Sequence, residues 1–173
     1  MKIYDYILCS GSGNRFLLFD TLRSDLSGLN IAAFAAEELH RFGVDGLLLL
    51  TRDGRGRFGM RMFNTDGSEA EMCGNGTRAI TLFAQREGVA DSTEPFRLGT
   101  RAGVKILTPR GNMRPYGANV FQVEMGEWKI GETDAYEVTI PGTEGSARGT
   151  FVDMGNPHVV AVIEDAFASL PVV

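Results

Sequence analysis

Cys73 closes a polar stretch, Asn64-Thr65-Asp66-Gly67-Ser68-Glu69-Ala70-Glu71-Met72, and is followed at once by Gly74-Asn75-Gly76-Thr77-Arg78. A helical pattern begins behind it, so the thiol stands beside the unshared backbone N–H groups of a helix start. Such groups stabilise anions, and a thiol placed among them ionises more readily. One arrangement can therefore hold a carboxylate and supply a sulfur that moves a proton. Gly74 and Asn75 offer the N–H groups, and glycine at this point lets a ligand come close to the backbone. The plainer reading, a small apolar core residue, fits poorly with glycine, asparagine and glutamate as neighbours.

The other reactive side chains separate by their surroundings. Cys9 lies in a strand pattern with Ile3 and Ile7 and reads as a core residue. Asn14, Asn64 and Asn75 are candidate ligand contacts with both donors and acceptors, or turn residues, as asparagine often is. Asn156-Pro157-His158 enters a strand, with Asn156 the firmer contact and His158 either a cleft residue or a structural histidine. Two cysteines make no disulfide framework, and two histidines, His40 and His158, give no metal-ligand spacing. No metal site and no cofactor are expected. Gly11-Ser12-Gly13 lacks the third glycine of a dinucleotide fingerprint and precedes a strand. Arg52, Arg55, Arg57 and Arg61 read as a solvated face around a hairpin.

The run from Phe63 to Arg78 closely resembles the first cysteine motif of diaminopimelate epimerase, a cofactor-independent amino-acid epimerase of lysine and cell-wall biosynthesis. Ser10-Gly11-Ser12-Gly13-Asn14-Arg15-Phe16 is similar to the family's amino-terminal Gly-x-Gly-Asn-Asp-Phe turn, and Met154-Gly155-Asn156-Pro157-His158 to its Gly-Asn-Pro-His motif. The three occur in the family's order and span essentially the whole chain. The resemblance implies interconversion of LL- and meso-diaminopimelate by two thiols, one acting as base and one as acid. Without pyridoxal phosphate as electron sink, a positioned base on one face and an acid on the other are required. It further implies Cys73 as the first thiol, with Asn14, Asn64, Gly74, Asn75 and Asn156 as substrate contacts and His158 as an auxiliary group.

The sequence also departs from that family. Arg15 stands where an aspartate is usual, and Gly46 where some members carry a substrate-binding glutamine. The later Cys-Gly-Ser-Gly segment, a later asparagine and a Glu-Arg pair have no match here. One base cannot complete inversion by the usual route, so the chain is expected to be a fragment that is inactive, or nearly so, alone. Proline-type racemases and phenazine-biosynthesis-like isomerases on the same scaffold are the nearest alternatives, and the latter lack the thiol. A Cys73–His158 pair for acyl transfer and a non-catalytic binding half are readings from other classes.

The elements that must position these residues read as an α+β fold, mostly antiparallel sheet with few helices. Ile3 to Cys9 and Phe16 to Asp20 form a hairpin-like pair. Asn30 caps a helix from Ile31 to Phe42 that Gly43 stops. Gly46 to Thr51 and Phe58 to Phe63 are strands, and Thr77 to Glu87 is an apolar helix suited to a central place. Strands follow at Phe96 to Thr100, Val104 to Thr108, Asn119 to Met125, Tyr136 to Ile140, Thr150 to Met154 and His158 to Ile163. Pro109, Gly111, Pro115 and Gly117 mark a boundary. The resemblance places a first domain at 1–116, its sheet curled around a central helix, and a similar but incomplete second domain at 117–173, with a helix opening at Asp165.

Size and charge agree. At 173 residues and 43% hydrophobic, the chain can bury a core. A net charge of −5 argues against nucleic acid or an anionic membrane as partner. No apolar run approaches the roughly 20 residues of a membrane span, and the amino terminus lacks a signal-peptide core. A cytoplasmic protein with a small-molecule substrate, diaminopimelate, is expected, with a homodimer left open.

Overall fold

Phe16-Leu17-Leu18-Phe19 and Leu47-Leu48-Leu49-Leu50 are unbroken apolar runs, which suit strands covered on both faces. The computed structural model, which describes residues 4–113, 118–139, 145–155 and 157–162, shows both runs buried on both sides. They lie in β2 (Asn14–Asp20) and β3 (Gly46–Arg52). Leu17, Phe19, Leu47 and Leu49 pack with Ala35 and Leu39 of α1 (Ile31–Phe42). Phe16, Leu18, Leu48 and Leu50 pack on the other face with Ala79, Ile80, Phe83 and Ala84 of α2 (Gly74–Arg86).

The first sheet also contains β1 (Ile7–Gly11), β4 (Phe58–Asn64), β5 (Glu69–Ala70), β6 (Phe96–Thr100), β7 (Gly103–Met113) and β8 (Ala118–Glu124). Its order is β1-β2-β3-β4-β6-β7-β8, with β5 on β4. Two pairs are parallel, β2 with β3 and β4 with β6, and the rest are antiparallel. Parallel neighbours need a crossover: α1 supplies the first and α2 the second. All seven strands of the main path touch α2, so the sheet curls around that helix. Phe58, Met60 and Met62 alternate towards it, as the period-2 pattern of β4 requires.

Local signals explain the helix ends. Asn30 Oδ1 accepts the Ala33 N–H at 3.2 Å, and Gly43, at φ 59°, donates its own N–H to the His40 carbonyl. The helix expected from Thr77 begins one turn earlier, at Gly74, with Cys73 as its cap. Two glycines of low helix propensity disguise that turn.

The compact units divide between Met125 and Gly126, which differs from an expected second domain starting at 117. β8 pairs with β7 from Ile106 opposite Glu124 to Met113 opposite Ala118. Its Phe121 and Val123 join the core around α2, which ties the strand to the first sheet. Pro115 and Gly117, which suggested the earlier break, lie outside the described residues, as does the helix expected from Asp165. The second unit is an antiparallel sheet of β10 (Tyr136–Thr139), β11 (Ser146–Asp153) and β12 (Pro157–Ala161), with β9 (Lys129–Ile130) on β11. Among the described residues no helix is long and apolar enough to cross a membrane.

Candidate active site

Cys73 has an extended backbone, φ −142° and ψ 112°, and its Sγ accepts the N–H of Gly76 at 3.3 Å. The thiol therefore caps α2 in the way a serine hydroxyl or aspartate carboxylate would. The Cys73 carbonyl accepts the Thr77 N–H at 2.9 Å, while the Thr77 hydroxyl donates to the Gly74 carbonyl at 2.7 Å. Gly74 and Asn75, first and second in the helix, have no acceptor within it for their N–H groups. Cys73 is half-buried, packed against the edge of the α2 core. Close packing fixes this turn, since a Cβ on Gly76 would lie 3.0 Å from Leu48 Cδ2.

The β1–β2 turn meets the same helix end. Ser12 and Gly13 both have positive φ, 50° and 95°, the backbone of a two-residue hairpin that follows the strand twist. Gly11 precedes that turn because α2 leaves no room: a Cβ there would stand 2.2 Å from the Asn75 carbonyl oxygen. The turn so placed brings Asn14 to Asn75, whose Nδ2 donates to Asn14 Oδ1 at 2.7 Å. Asn14 Nδ2 donates to Asp45 Oδ2 at 3.2 Å, and Arg78 Nη1 donates to Asn75 Oδ1 at 3.1 Å.

Asn64 ends β4 opposite Gly46, at the same end of the sheet as Asp45. Its Nδ2 donates to Ser68 Oγ at 3.0 Å, and that hydroxyl donates to Asp66 Oδ1 at 2.6 Å. The Ser68 hydroxyl and the Ser68 backbone N–H, both donating to Asp66 Oδ1, hold the exposed Asp66 carboxyl below its ordinary range. The turn rests on α1, for a Cβ on Gly67 would come within 2.6 Å of the Ala32 carbonyl. Thus Cys73, Gly74, Asn75, Asn14 and Asn64 gather at one end of the first sheet, where β2 and β3 begin, β4 ends and α2 begins.

The remaining expected residues fall elsewhere. Asn156 lies outside the described residues. His158 is exposed in β12, opposite Val152 in the second unit. Arg15 uses its backbone: its N–H donates to Asp45 Oδ2 at 2.7 Å and its carbonyl accepts the Asp45 N–H at 2.8 Å. Gly46 is closely packed where some family members carry glutamine: a Cβ there would lie 2.9 Å from Met62 Cε and 3.0 Å from the Phe63 carbonyl oxygen. Cys9 is half-buried, packed against the core around α2, and burial pushes its thiol up to about 11. Among the described residues no cluster of His, Cys, Asp and Glu could hold a metal ion.

Asp45 and Arg78 went unnoticed in the sequence. Arg78 had a readable signal, since it lies three residues after Asn75 on one helix face. Asp45 had none without the parallel register that sets Phe16 beside Gly46.

The arrangement can bind a carboxylate on helix N–H groups and amide side chains while a sulfur reaches the adjoining carbon. The family model of diaminopimelate epimerase matches residues 6–130. The diaminopimelate epimerase of Bacteroides thetaiotaomicron is 35% identical over 156 residues, covering 90% of this chain and 55% of that protein. The Phocaeicola vulgatus enzyme is 36% identical over 162 residues, covering 90% and 58%. The chain thus spans a little over half the length of these curated relatives. Among solved structures, a phenazine biosynthesis protein of the PhzF family from Bacillus anthracis superposes with a TM-score of 0.66 at 16% identity, over 93% of this chain and 56% of that one. A hydroxyproline epimerase from Agrobacterium vitis gives 0.63 at 14%, over 90% and 50%. These two likenesses concern the fold, whereas the sequence relatives share one named activity.

Proposed function

The chain belongs to the diaminopimelate epimerase family, and on that premise we propose that it carries the first of two thiols that interconvert LL- and meso-diaminopimelate without a cofactor. Cys73 takes the α-proton from one face of the substrate, or returns it. The substrate carboxylate lies on the N–H groups of Gly74 and Asn75, with Asn14 and Asn64 as side-chain contacts. Negative charge that builds on the carboxylate as the α-carbon loses its proton is then met by donors already in place. The observation that carries this reading is a half-buried sulfur capping a helix whose first N–H groups stand among oriented asparagine amides.

A second base is still needed for inversion. Cys9 is a poor candidate: it packs against the core around α2, and burial disfavours the thiolate that a reversible acid–base thiol must also supply. The facing thiol therefore belongs to polypeptide outside these 173 residues, and the isolated chain is inactive or nearly so. Isomer interconversion of meso-diaminopimelate, followed by chiral chromatography, tests this. Turnover by the isolated chain at ordinary enzyme rates would overturn the two-thiol scheme. In protein that carries both thiols, Cys73→Ala is expected to lower the rate by about 10²–10⁴-fold, the usual worth of a general acid or base. A rate left near that of the parent removes Cys73 from the chemistry.

A further inference from the structure

We infer that Asp45 and Arg78 are positioning residues that hold the side-chain amides of Asn14 and Asn75 from opposite ends, so that the pair turns its spare N–H donors towards a substrate carboxylate. The inference rests on the epimerase reading for its ligand and on the geometry for everything else. Asp45 Oδ2 accepts from Asn14 Nδ2, Asn14 Oδ1 from Asn75 Nδ2, and Asn75 Oδ1 from Arg78 Nη1, at 3.2, 2.7 and 3.1 Å. Asp45 Oδ2 accepts from two N–H groups at once, Asn14 Nδ2 and the Arg15 backbone, and a guanidinium only donates. The sense of the whole row is therefore fixed. Turned over, Asn14 would set its carbonyl against a carboxylate, and Asn75 its NH₂ against a guanidinium.

Each amide commits one N–H to the row and keeps a second. Those two protons, with the backbone N–H groups of Gly74 and Asn75, make a surface of donors beside Cys73, which suits a carboxylate and repels a cation. Asp45 can act as the fixed end because backbone holds it: it exchanges hydrogen bonds with both the N–H and the carbonyl of Arg15. Arg78 is fixed by its helix, one turn below Asn75.

The test uses the ¹⁵N-labelled chain and the side-chain amide signals of Asn14 and Asn75. Asp45→Ala should shift the Asn75 signals, although Asp45 touches only Asn14, and Arg78→Ala should shift those of Asn14. Signals of the distant amide that stay put in both folded variants overturn the inference. If Asp45→Ala does not fold, Arg78→Ala carries the comparison by itself, through the Asn14 signals. Titration with diaminopimelate then asks what the row does. Each single alanine variant is expected to bind about tenfold more weakly, the scale of one charge-assisted hydrogen bond. The double variant should be little worse than the weaker single one, and Asp45→Asn, which keeps an acceptor oxygen, should recover most of the loss. Losses that multiply in the double variant show two independent structural effects and overturn the inference. A parent chain that ignores diaminopimelate while the amide shifts appear counts against the epimerase reading and supports the row itself.

Discussion

The two thiols of the chain rest against the same core, and what else each touches separates them. Cys73 has a backbone N–H on its sulfur and a helix start around it. Cys9 sits on β1 opposite Phe16, against the core, and burial moves its thiol from 9.0 to about 11. A raised value keeps the folded form protonated while the unfolded chain ionises. Between about pH 9 and 11 the unfolded chain therefore holds fewer protons, and stability falls as pH rises through that window; below pH 9 the contribution is complete. Cys9→Ala should flatten this alkaline decline in denaturant midpoints, and an unchanged slope would contradict it. The same setting makes Cys9 the slow partner in alkylation. A Cys73→Ala chain treated with iodoacetamide at pH 8 should stay largely unlabelled, as mass spectrometry would show, and rapid labelling would argue that Cys9 is accessible.

The helix α2 both fills the sheet and presents the site, so substitutions along it separate stability from function. Thr81 is fully buried in α2 and its hydroxyl has no hydrogen-bond partner. Thr81→Val keeps the shape and removes that hydroxyl, and should raise stability by about 1 kcal/mol in thermal unfolding. Gly11→Ala acts at the other end. Its methyl would collide with the Asn75 carbonyl at 2.2 Å, so the first turn of α2 must give way at a cost of about 1–3 kcal/mol. Diaminopimelate binding should be lost by a larger factor than the fall in melting temperature suggests, which calorimetry beside thermal melts would reveal. How far these elements could be read from sequence depended on where their signals were local. Asn30 and Gly43 made both ends of α1 legible. The first turn of α2 was hidden by Gly74 and Gly76, and two-residue strands such as β5 and β9 carry no period to detect. Asp45 was invisible because its role comes from the alignment of β2 on β3, a relation between segments rather than within one.

The two units of the chain differ in how much they bury. The first encloses two apolar clusters on either side of β2 and β3. In the second, Ile130, Tyr136, Val159, Val160 and Val162 are exposed, Val162 to 84%, and no large side chain among its described residues is fully buried. A small sheet without a buried face has little to oppose the entropy of the open chain. Backbone amides of β9 to β12 should therefore exchange with solvent orders of magnitude faster than those of β2, β3 and α2. Equal protection across Met125 and Gly126, seen by mass spectrometry, would contradict this. Trp128, the only tryptophan, is 67% exposed in that second unit, so its fluorescence reports poorly on the first. The contact between Asn14 and Asn75 bridges 61 residues of chain. At ribosomal rates of about 5–20 residues per second, the hairpin that carries Asn14 emerges roughly 3–12 s before the helix that completes its surroundings. Through that interval Phe16 and Leu18 wait without the helix that covers them in the finished fold, which makes the nascent chain, rather than the finished one, the form most in need of a chaperone.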